Sequence, residues 1–258
     1  MAITTKEPET KKEGTKIITT EKHEKTHVPF AIVEAYKTIR TNLMFVISNS
    51  EKKRVIVSSS NIGEGKSTTA VNLAIAFAQL GSKVLLIDAD MRRPSIYKKM
   101  KLPNTKGLSS LLVGFCGMDE AIATVNPCLD VMPSGPIPPN PSELLGSEKM
   151  AEILDELNET YEYIFIDTPP VNVVSDCLVL APITDGIVFI AQDLITTHDE
   201  VQRALSSIEL AQAKLLGIVL NGSTKAKRAS YRRNRYITGG KYKYHYHYKY
   251  YSNYSYDK

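Results

Sequence analysis

A glycine-containing turn between an apolar run and a helical pattern is the first stretch of this chain that could bind a ligand. Residues 55–57 are β-branched, and the small polar residues after them lead into a helix pattern over residues 70–80. Glycines let a turn point its backbone N–H groups inward, and a helix N-terminus adds partial positive charge. The Lys66 ammonium would reach the β- and γ-phosphates of a nucleotide, and the Ser67 hydroxyl would ligate Mg²⁺. The candidate phosphate-binding residues are Gly63, Glu64, Gly65, Lys66, Ser67 and Thr68.

Acidic residues at the ends of two later apolar runs would complete this site. Asp88 and Asp90 follow the run 83–87, and Asp167 follows the run 163–166. The carboxyl ends of buried parallel strands face the crevice in which doubly wound sheets bind ligands. An acid that closes such a strand downstream of a phosphate-binding loop typically holds the hydration shell of Mg²⁺. We therefore expect these carboxylates to lie beside the loop.

Two features of the pattern leave alternatives open. Ser60 stands where the full P-loop pattern has a glycine, so the loop taken alone is also compatible with an unliganded turn. Asn221, at the end of another apolar run, could hydrogen-bond a nucleotide base or simply cap a turn. The loop and the acids together favour a site for ATP and Mg²⁺.

Strand-length apolar runs alternate with helical patterns along the chain. Such alternation predicts an α/β fold, with a doubly wound, mostly parallel sheet covered by helices on both faces, as in P-loop NTPases. The predicted strands are 55–57, 83–87, 129–132, 163–167, 186–191 and 214–221, and the predicted helices are 30–48, 70–80, 108–112, 118–125, 142–158 and 198–211.

Composition indicates one domain between two polar ends. The 258 residues, 43% hydrophobic and 23% charged, can bury the core of one α/β domain, which we place at residues 28–224. Residues 1–27 consist mainly of Lys, Glu and Thr, so we expect them to be disordered. Residues 225–258 carry about +9, which leaves about −5 on the remainder. We expect this basic end to be a flexible tail.

Cysteine spacing and hydropathy indicate a cytosolic protein. The three cysteines, Cys116, Cys128 and Cys177, show no disulfide or metal-ligand spacing, as expected of reduced thiols. Pro182 and Asp185 interrupt the longest apolar run, so we expect the chain neither to cross a membrane nor to be secreted by itself.

The tail combines tyrosines with basic residues. Alternation of this kind also occurs in edge strands and in platforms that stack nucleic-acid bases, but a flexible end is favoured because the pattern has no aliphatic face to bury. A flexible tail would keep tyrosine hydroxyls at high local concentration near a kinase site on the same protein. The candidate phosphoacceptors are Tyr242, Tyr244, Tyr246, Tyr248, Tyr250, Tyr251, Tyr254 and Tyr256.

A charged stripe lies on the predicted helix 30–48. Glu34, Lys37 and Arg40 recur every three residues, opposite the apolar positions of the helix. A stripe like this is usually a solvated helix face.

From about residue 31 to residue 221, and again in its tail, the chain closely resembles the bacterial tyrosine kinases of capsular and exopolysaccharide synthesis. The residues that carry this resemblance are Glu34-x-x-Lys37-x-x-Arg40-Thr41-Asn42-Leu43, the loop from Gly63 to Thr68, Asp88-x-Asp90-Met91-Arg92-Arg93-Pro94, the proline-rich run 134–145, Ile166-Asp167-Thr168-Pro169-Pro170 and the tyrosine-rich end.

The resemblance implies an ATP:protein tyrosine phosphotransferase with particular roles for these residues. Lys66 and Ser67 would contact phosphate and Mg²⁺, and Asp167 would support the metal. Of Asp88 and Asp90, one would act near the attacking hydroxyl, for which we choose Asp88, and the other would help to hold the metal. The tail of a neighbouring copy would be the acceptor in trans.

The resemblance also implies partners and a location. The stand-alone form of the family is activated by the cytosolic end of a transmembrane polysaccharide co-polymerase, so the chain would be cytoplasmic and peripheral at the inner face of the cell membrane. A cognate tyrosine phosphatase and polysaccharide-synthesis enzymes would be its further partners, and no nucleic acid is expected. Glu34, Lys37 and Arg40 match the family's Glu-x-x-Arg-x-x-Arg oligomerisation motif. Lys37 departs from it, and the loss of the bidentate guanidinium implies a weaker ring.

The main alternative is a regulatory switch ATPase of the MinD or ParA type without kinase activity. Those proteins resemble this chain in the sheet and acidic motifs but carry a second lysine early in the loop, where this chain has Asn61. The missing lysine and the tyrosine-rich tail argue against this alternative. A nucleic-acid-binding protein that acts through its basic aromatic tail is the third reading.

Overall fold

The computed structural model describes residues 30–222 of the chain. The predicted disordered segment 1–27 and the tail 225–258, with all its candidate phosphoacceptors, lie outside the described residues, and so do the edges 28–29 and 223–224 of the predicted domain.

Within residues 30–222, seven strands form one sheet, which confirms the predicted fold class. The strands are β1 (Arg54–Ser59), β2 (Val84–Asp88), β3 (Ala123–Asn126), β4 (Leu129–Met132), β5 (Tyr163–Asp167), β6 (Gly186–Gln192) and β7 (Leu215–Asn221). Their order in the sheet is β3-β4-β2-β5-β1-β6-β7. Every neighbouring pair is parallel except β3 and β4, which are antiparallel at one edge.

Helices cover both faces of the sheet. They are α1 (Phe30–Val46), α2 (Lys66–Ala78), α3 (Ile96–Met100), α4 (Leu108–Leu112), α5 (Met118–Ala121), α6 (Pro141–Leu145), α7 (Glu148–Asn158), α8 (Asp176–Leu180) and α9 (His198–Leu210), with a 3₁₀ turn at Ala181–Ile183. No helix within residues 30–222 has the length and apolar character needed to cross a membrane.

Alternate residues of the central strands build a core on each face of the sheet. Ile56 of β1 packs into the cluster that contains α7, α8 and α9, whereas Val55 and Val57 pack into the cluster that contains α1 and α2. β1, β2 and β5 are buried along their whole length because helices cover them on both sides. This double coverage explains why the strands appear in the sequence as continuous apolar runs.

The register of the central strands brings the predicted site residues to one edge. Asp88 at the end of β2 is the register partner of Asp167 at the end of β5, and Asp167 is also paired with Val57 of β1. Because these strands are parallel and adjacent, their carboxyl ends lie side by side. The loop after β1, which contains the predicted phosphate-binding residues, therefore begins next to Asp167 and one strand further from Asp88.

Several predicted helix boundaries are wrong. The helix predicted at 118–125 ends at Ala121, and the β-branched residues after it form β3 by pairing with β4. The helix predicted at 142–158 is two helices, because the first ends at Gly146 and the Ser147 hydroxyl caps the second by accepting from the N–H of Met150. The short helices α3 and α8 were not predicted.

A buried arginine holds the beginning of β1, the strand that leads into the loop. Arg54 is 1% exposed, and its guanidinium donates to Asn158, to the carbonyl of Ile183 and to Asp155, the last at 2.5 Å. Each nitrogen of the guanidinium thus donates one hydrogen bond, and together these bonds join β1 to α7 and to the turn before β6.

We expect Arg54→Met to lower the free energy of unfolding by about 1–3 kcal/mol, because it removes three hydrogen bonds of a buried guanidinium, two of them to half-buried acceptors. Lys52→Met is the matched control, since Lys52 contacts the same Asp155 carboxylate from an exposed position, and it should change stability by less than about 0.5 kcal/mol. Urea unfolding followed by circular dichroism measures both. Equal losses for the two variants would contradict this account of Arg54.

Candidate active site

The loop between β1 and α2 has the backbone conformation that its glycines allow. Gly63 and Gly65 have φ angles of 89° and 94°, in the left-handed region that favours glycine. Gly65 immediately precedes Lys66, the first residue of α2, and its carbonyl accepts from the N–H of Thr69. The turn therefore directs the chain into the helix N-terminus, where free N–H groups and the helix dipole favour an anion.

The side chain of Glu64 stabilises the loop. Glu64 is 2% exposed, and its carboxylate accepts from the backbone N–H of Asn61 at 2.9 Å and from the hydroxyl of Thr196 at 2.6 Å. Thr196 lies between β6 and α9 and accepts from the N–H of Gln192. Because the carboxylate is used in these contacts, the group that Glu64 can offer to a phosphate is its backbone N–H.

Asn221 fixes the same loop from the end of β7. Its side-chain amide donates to the carbonyl of Glu64 at 2.9 Å. A Cβ built on Gly65 would lie 2.1 Å from the Asn221 amide nitrogen, so the two residues are packed closely. The amide holds the carbonyl on the outside of the turn, and contact with a nucleotide base stays a prediction.

Lys66 lies between two acids. Its ammonium is 2.7 Å from Oδ2 of Asp90 and 3.7 Å from Oδ1 of Asp167, and its side chain is only 11% exposed. Burial disfavours the ammonium, but the charges of Asp167 and Asp90 outweigh this effect and raise the pKa of Lys66 above its ordinary value. Lys66 is therefore positively charged where a nucleotide phosphate would lie.

The two carboxylates of the Asp-x-Asp motif have different surroundings. Asp90 lines the cleft beside the loop, and its Oδ1 accepts from the backbone N–H of Arg93 at 3.0 Å. Asp88 is fully buried, and its Oδ2 accepts from the N–H groups of Ser95 and Ile96 at the start of α3, each at 3.0 Å. Oδ1 of Asp88 has no hydrogen-bond partner. Burial, followed by the charge of Asp167, raises the pKa of Asp88 to about 7.

Asp167 offers oxygens that fit Mg²⁺. It is fully buried, neither oxygen makes a hydrogen bond of regular geometry, and burial raises its pKa to about 6 against the opposing effects of the Lys66 ammonium and the Ser67 hydroxyl. No group of three or more His, Cys, Asp and Glu side chains in residues 30–222 could enclose a metal ion by itself. Mg²⁺ usually takes one or two carboxylates together with substrate phosphates and water, so these donors fit the ion.

A hydrogen-bond network beside the cleft involves residues to which the sequence analysis gave no role. Arg92, from the Asp-x-Asp-x-Arg motif, donates to both oxygens of Asp176 at 2.9 Å and 3.1 Å. It also donates to the hydroxyl of Ser142 at 3.0 Å, and that hydroxyl donates to Asp176. The guanidinium thereby joins the proline-rich run to α8 and holds the loop after β2 in place.

The cleft itself has a volume of about 360 Å³. Predicted site residues in its lining are Gly63, Gly65, Lys66, Ser67, Thr68 and Asp90. Further lining residues are Ile62, Arg92, Arg93, Ser95, Lys99, Pro169, Pro170, Val173 and Val174. Four predicted site residues, Glu64, Asp88, Asp167 and Asn221, are not in the lining and act from behind it.

The predicted oligomerisation residues make contacts within the chain. Lys37 pairs with Glu34 at 2.8 Å on the surface of α1. Arg40 donates to the carbonyl of Ala76 at 2.6 Å, near the C-terminus of α2, where the helix dipole favours a cation. These contacts orient α1 on the domain, and a role in oligomerisation stays a prediction.

Several residues of the site had no recognisable signal in the sequence. Thr196 and Asp176 act through contacts with residues 132 and 84 positions away. Pro170 and Val173 reach the cleft because backbone hydrogen bonds tie the chain after β5 to the end of β1. Arg92, Arg93 and Pro170 could have been found, since they belong to motifs that carry the family resemblance.

Comparisons with known proteins agree with this geometry. The two-glycine loop on a parallel sheet defines a P-loop NTPase-like protein, and a family model described as an AAA domain matches residues 52–216. The tyrosine-protein kinase YwqD of Bacillus subtilis is 43% identical over 199 residues, which are 77% of this chain and 84% of that protein.

Solved structures that are similar to this chain indicate the same family. The chimerical protein CapA2B2 is 41% identical with a TM-score of 0.72, over 79% of this chain and 89% of that one. The kinase domain of the Escherichia coli tyrosine kinase ETK is 30% identical with a TM-score of 0.73, over 88% and 89% of the two chains. The chain belongs to the bacterial tyrosine kinase family, which confirms the resemblance read from its motifs.

Gly65→Ala is expected to lower the affinity for ATP roughly tenfold or more, because the residue has a positive φ and the new Cβ would displace the Asn221 amide from Glu64. Titration with a fluorescent ATP analogue measures this. Gly81→Ala is the matched control, since Gly81 has a φ of 88° with nothing within 4 Å of its built Cβ. Unchanged affinity in Gly65→Ala would rule out this packing.

Proposed function

We propose that this chain is an ATP-dependent protein tyrosine kinase, an ATP:protein-L-tyrosine O-phosphotransferase. The observation that carries the proposal is the buried ammonium of Lys66, held 2.7 Å from Asp90 beside the two-glycine loop, in a chain whose relatives are tyrosine kinases. A cation in this position neutralises the charge that develops on a transferring phosphoryl group, and phosphoryl transfer depends mainly on positioning and charge neutralisation.

Each residue of the site then has a role. The backbone N–H groups of residues 63–68 hold the phosphates, and Lys66 moves from Asp90 toward the β- and γ-phosphate oxygens. Ser67 and Asp167 would hold Mg²⁺, which when bound would draw charge from the phosphate oxygens. Asp90 was predicted as a further metal ligand, and we assign it instead to the group beside the phenol. Asn221 fixes the loop through Glu64.

The transfer itself joins a tyrosine oxygen to phosphorus. The phenol oxygen bonds to the γ-phosphorus as the bond to the bridging oxygen breaks, ADP leaves, and the phenolic proton passes to a carboxylate. Asp88 was the predicted acceptor, but its oxygens lie behind the cleft, one of them on the N-terminus of α3. Asp90 lines the cleft, so we favour Asp90 as the group beside the phenol and Asp88 as the residue that holds the start of α3.

The acceptors are the tyrosines of the tail of a neighbouring copy, phosphorylated in trans. The charged stripe of α1, formed by Glu34, Lys37 and Arg40, supports a ring of copies. Activation comes from the cytosolic end of a transmembrane polysaccharide co-polymerase, which also brings the protein to the inner face of the cell membrane. Through its phosphorylation state, set against a cognate tyrosine phosphatase, the protein regulates the synthesis and export of capsular polysaccharide or exopolysaccharide. Enzymes of that synthesis are its further substrates. The relatives named tyrosine-protein kinase and the similarity to the chimerical protein CapA2B2 support the kinase part of this assignment.

Lys66→Met is expected to abolish phosphotyrosine formation, with a loss of at least roughly a thousandfold, because the cation at the phosphates is removed. In a mixture, this inactive variant should still be phosphorylated on its tail by an active copy whose ten tyrosines from Tyr231 to Tyr256 are replaced by phenylalanine. Mass spectrometry after incubation with Mg-ATP and the activator's cytosolic peptide measures both effects.

Lys149→Met serves as the control, because Lys149 is an exposed lysine of α7 outside the cleft lining, and it should retain most of the activity. Phosphate on the Lys66→Met tail shows transfer in trans, and its absence contradicts that step. Release of phosphate to water only, with every tyrosine unmodified, would instead identify a switch ATPase of the MinD or ParA type.

A further inference from the structure

The cleft lies on the side of the loop from which an attacking group would come. In the sheet order, β5 and β2 lie on one side of β1, and β6 and β7 lie on the other. Asn221 reaches the loop from the β7 side, whereas the cleft is lined by the segments that follow β5 and β2. Asp90 and Asp167, which contact Lys66, are also on the side of β5 and β2. A phosphate beside them would therefore face the cleft.

Two exposed apolar side chains lie at the mouth of this cleft, beside the cations Arg93 and Lys99. Ile62 and Val173 are 55% and 52% exposed, and the buried Pro170 lies in the same lining. We call these three residues the apolar collar. Lys66 and Asp90 lie deeper in the cleft, since their side chains are 11% and 7% exposed. Exposed apolar side chains that flank a polar floor indicate a contact surface for a ligand that is apolar along its length and polar at its end.

Backbone contacts fix much of the collar before any ligand binds. The N–H of Val171 donates to the carbonyl of Ser59, and the Ser58 hydroxyl donates to the carbonyl of Pro169. The N–H of Val173 donates to the carbonyl of Pro170. The segment after β5 is thus held against the end of β1, and a ligand that enters pays little to order this wall.

We propose that the apolar collar holds the aromatic ring of the incoming tyrosine and so selects tyrosine over serine and threonine. The inference rests on the proposed function. A ring packed between Ile62, Pro170 and Val173 would present its hydroxyl to the floor at Asp90 and Lys66. The hydroxyl of serine, one bond beyond Cβ, would stay at the mouth and gain nothing from the collar. An aromatic ring buries a large apolar area, which supplies binding free energy that serine lacks.

The cations at the rim fit the same occupant. Arg93 and Lys99 line the cleft, and no hydrogen bond or ion pair of the Arg93 guanidinium to residues 30–222 competes with a ligand. Near the ring they could contact its face or, after transfer, the new phosphate. The collar, however, is what distinguishes a ring from a short side chain.

The test uses the full chain with a non-hydrolysable ATP analogue and peptides of the sequence 241–256. In the first peptide phenylalanine replaces every tyrosine, so the ring can bind without reacting, and in the second serine replaces them. Fluorescence anisotropy should show that Val173→Ser raises the Kd of the phenylalanine peptide roughly three- to tenfold. In a separate assay with Mg-ATP and the unaltered 241–256 peptide, the KM of that tyrosine peptide should rise by the same factor, with little change in kcat. Val173→Ile, which keeps an apolar side chain, should leave this Kd and this KM as they are in the unaltered chain. The serine peptide should bind weakly to every variant.

Leu210→Ser is the matched control, because Leu210 is 87% exposed on α9 outside the cleft lining. Equal Kd values for the phenylalanine peptide in Val173→Ser, Leu210→Ser and the unaltered chain would overturn the inference. A parallel loss of ATP-analogue affinity in Val173→Ser would also overturn it, since the collar would then contact the nucleotide. If the unaltered chain forms no phosphotyrosine even with its activator, the proposed function fails first, and the collar's role in tyrosine selection fails with it.

Discussion

The site depends on an electrostatic imbalance, in which one buried ammonium faces three buried carboxylates. Lys66 contacts Asp90 and Asp167, and the charge of Asp88 also acts on it. Burial disfavours the charged form of each acid and repulsion between the acids adds to this, so the pKa values of Asp88 and Asp167 rise to about 7 and about 6. An excess of acid over base favours a divalent cation. The site therefore suits a magnesium nucleotide better than a free anion.

Contacts outside the cleft hold these charges in place. Glu64 ties the loop to Thr196, and Arg92 ties the segment after β2 to Asp176 and Ser142. Each contact joins segments distant in sequence, so the phosphate-binding loop, the acids and the chain after β5 form one rigid unit. Such rigidity matters for phosphoryl transfer, because the reaction needs aligned groups more than it needs reactive ones.

Six of the seven strands and the short helix α4 were predictable from the sequence, whereas β3, α3 and α8 were not. β2 and β5 are covered on both faces, so their burial is visible as continuous apolar runs. The stretch 118–126 has a helical pattern at its start, but pairing with β4 turned its second half into β3. α8 begins at Asp176, whose burial depends on Arg92 from another part of the chain. Elements this short are determined by tertiary contacts more than by their own propensity.

The sequence by itself determined the fold class, the loop around Lys66, the acids at the strand ends and the family. These features follow from the local sequence, because residue type and spacing along one strand or turn are enough to specify them. Only the tertiary structure decided that Asp90 lines the cleft while Asp88 supports α3, that the Glu64 carboxylate holds the loop, and that Ile62 and Val173 lie at the mouth of the cleft. The direction of a side chain at a strand end is set by the elements packed around it, and those elements come from distant parts of the chain.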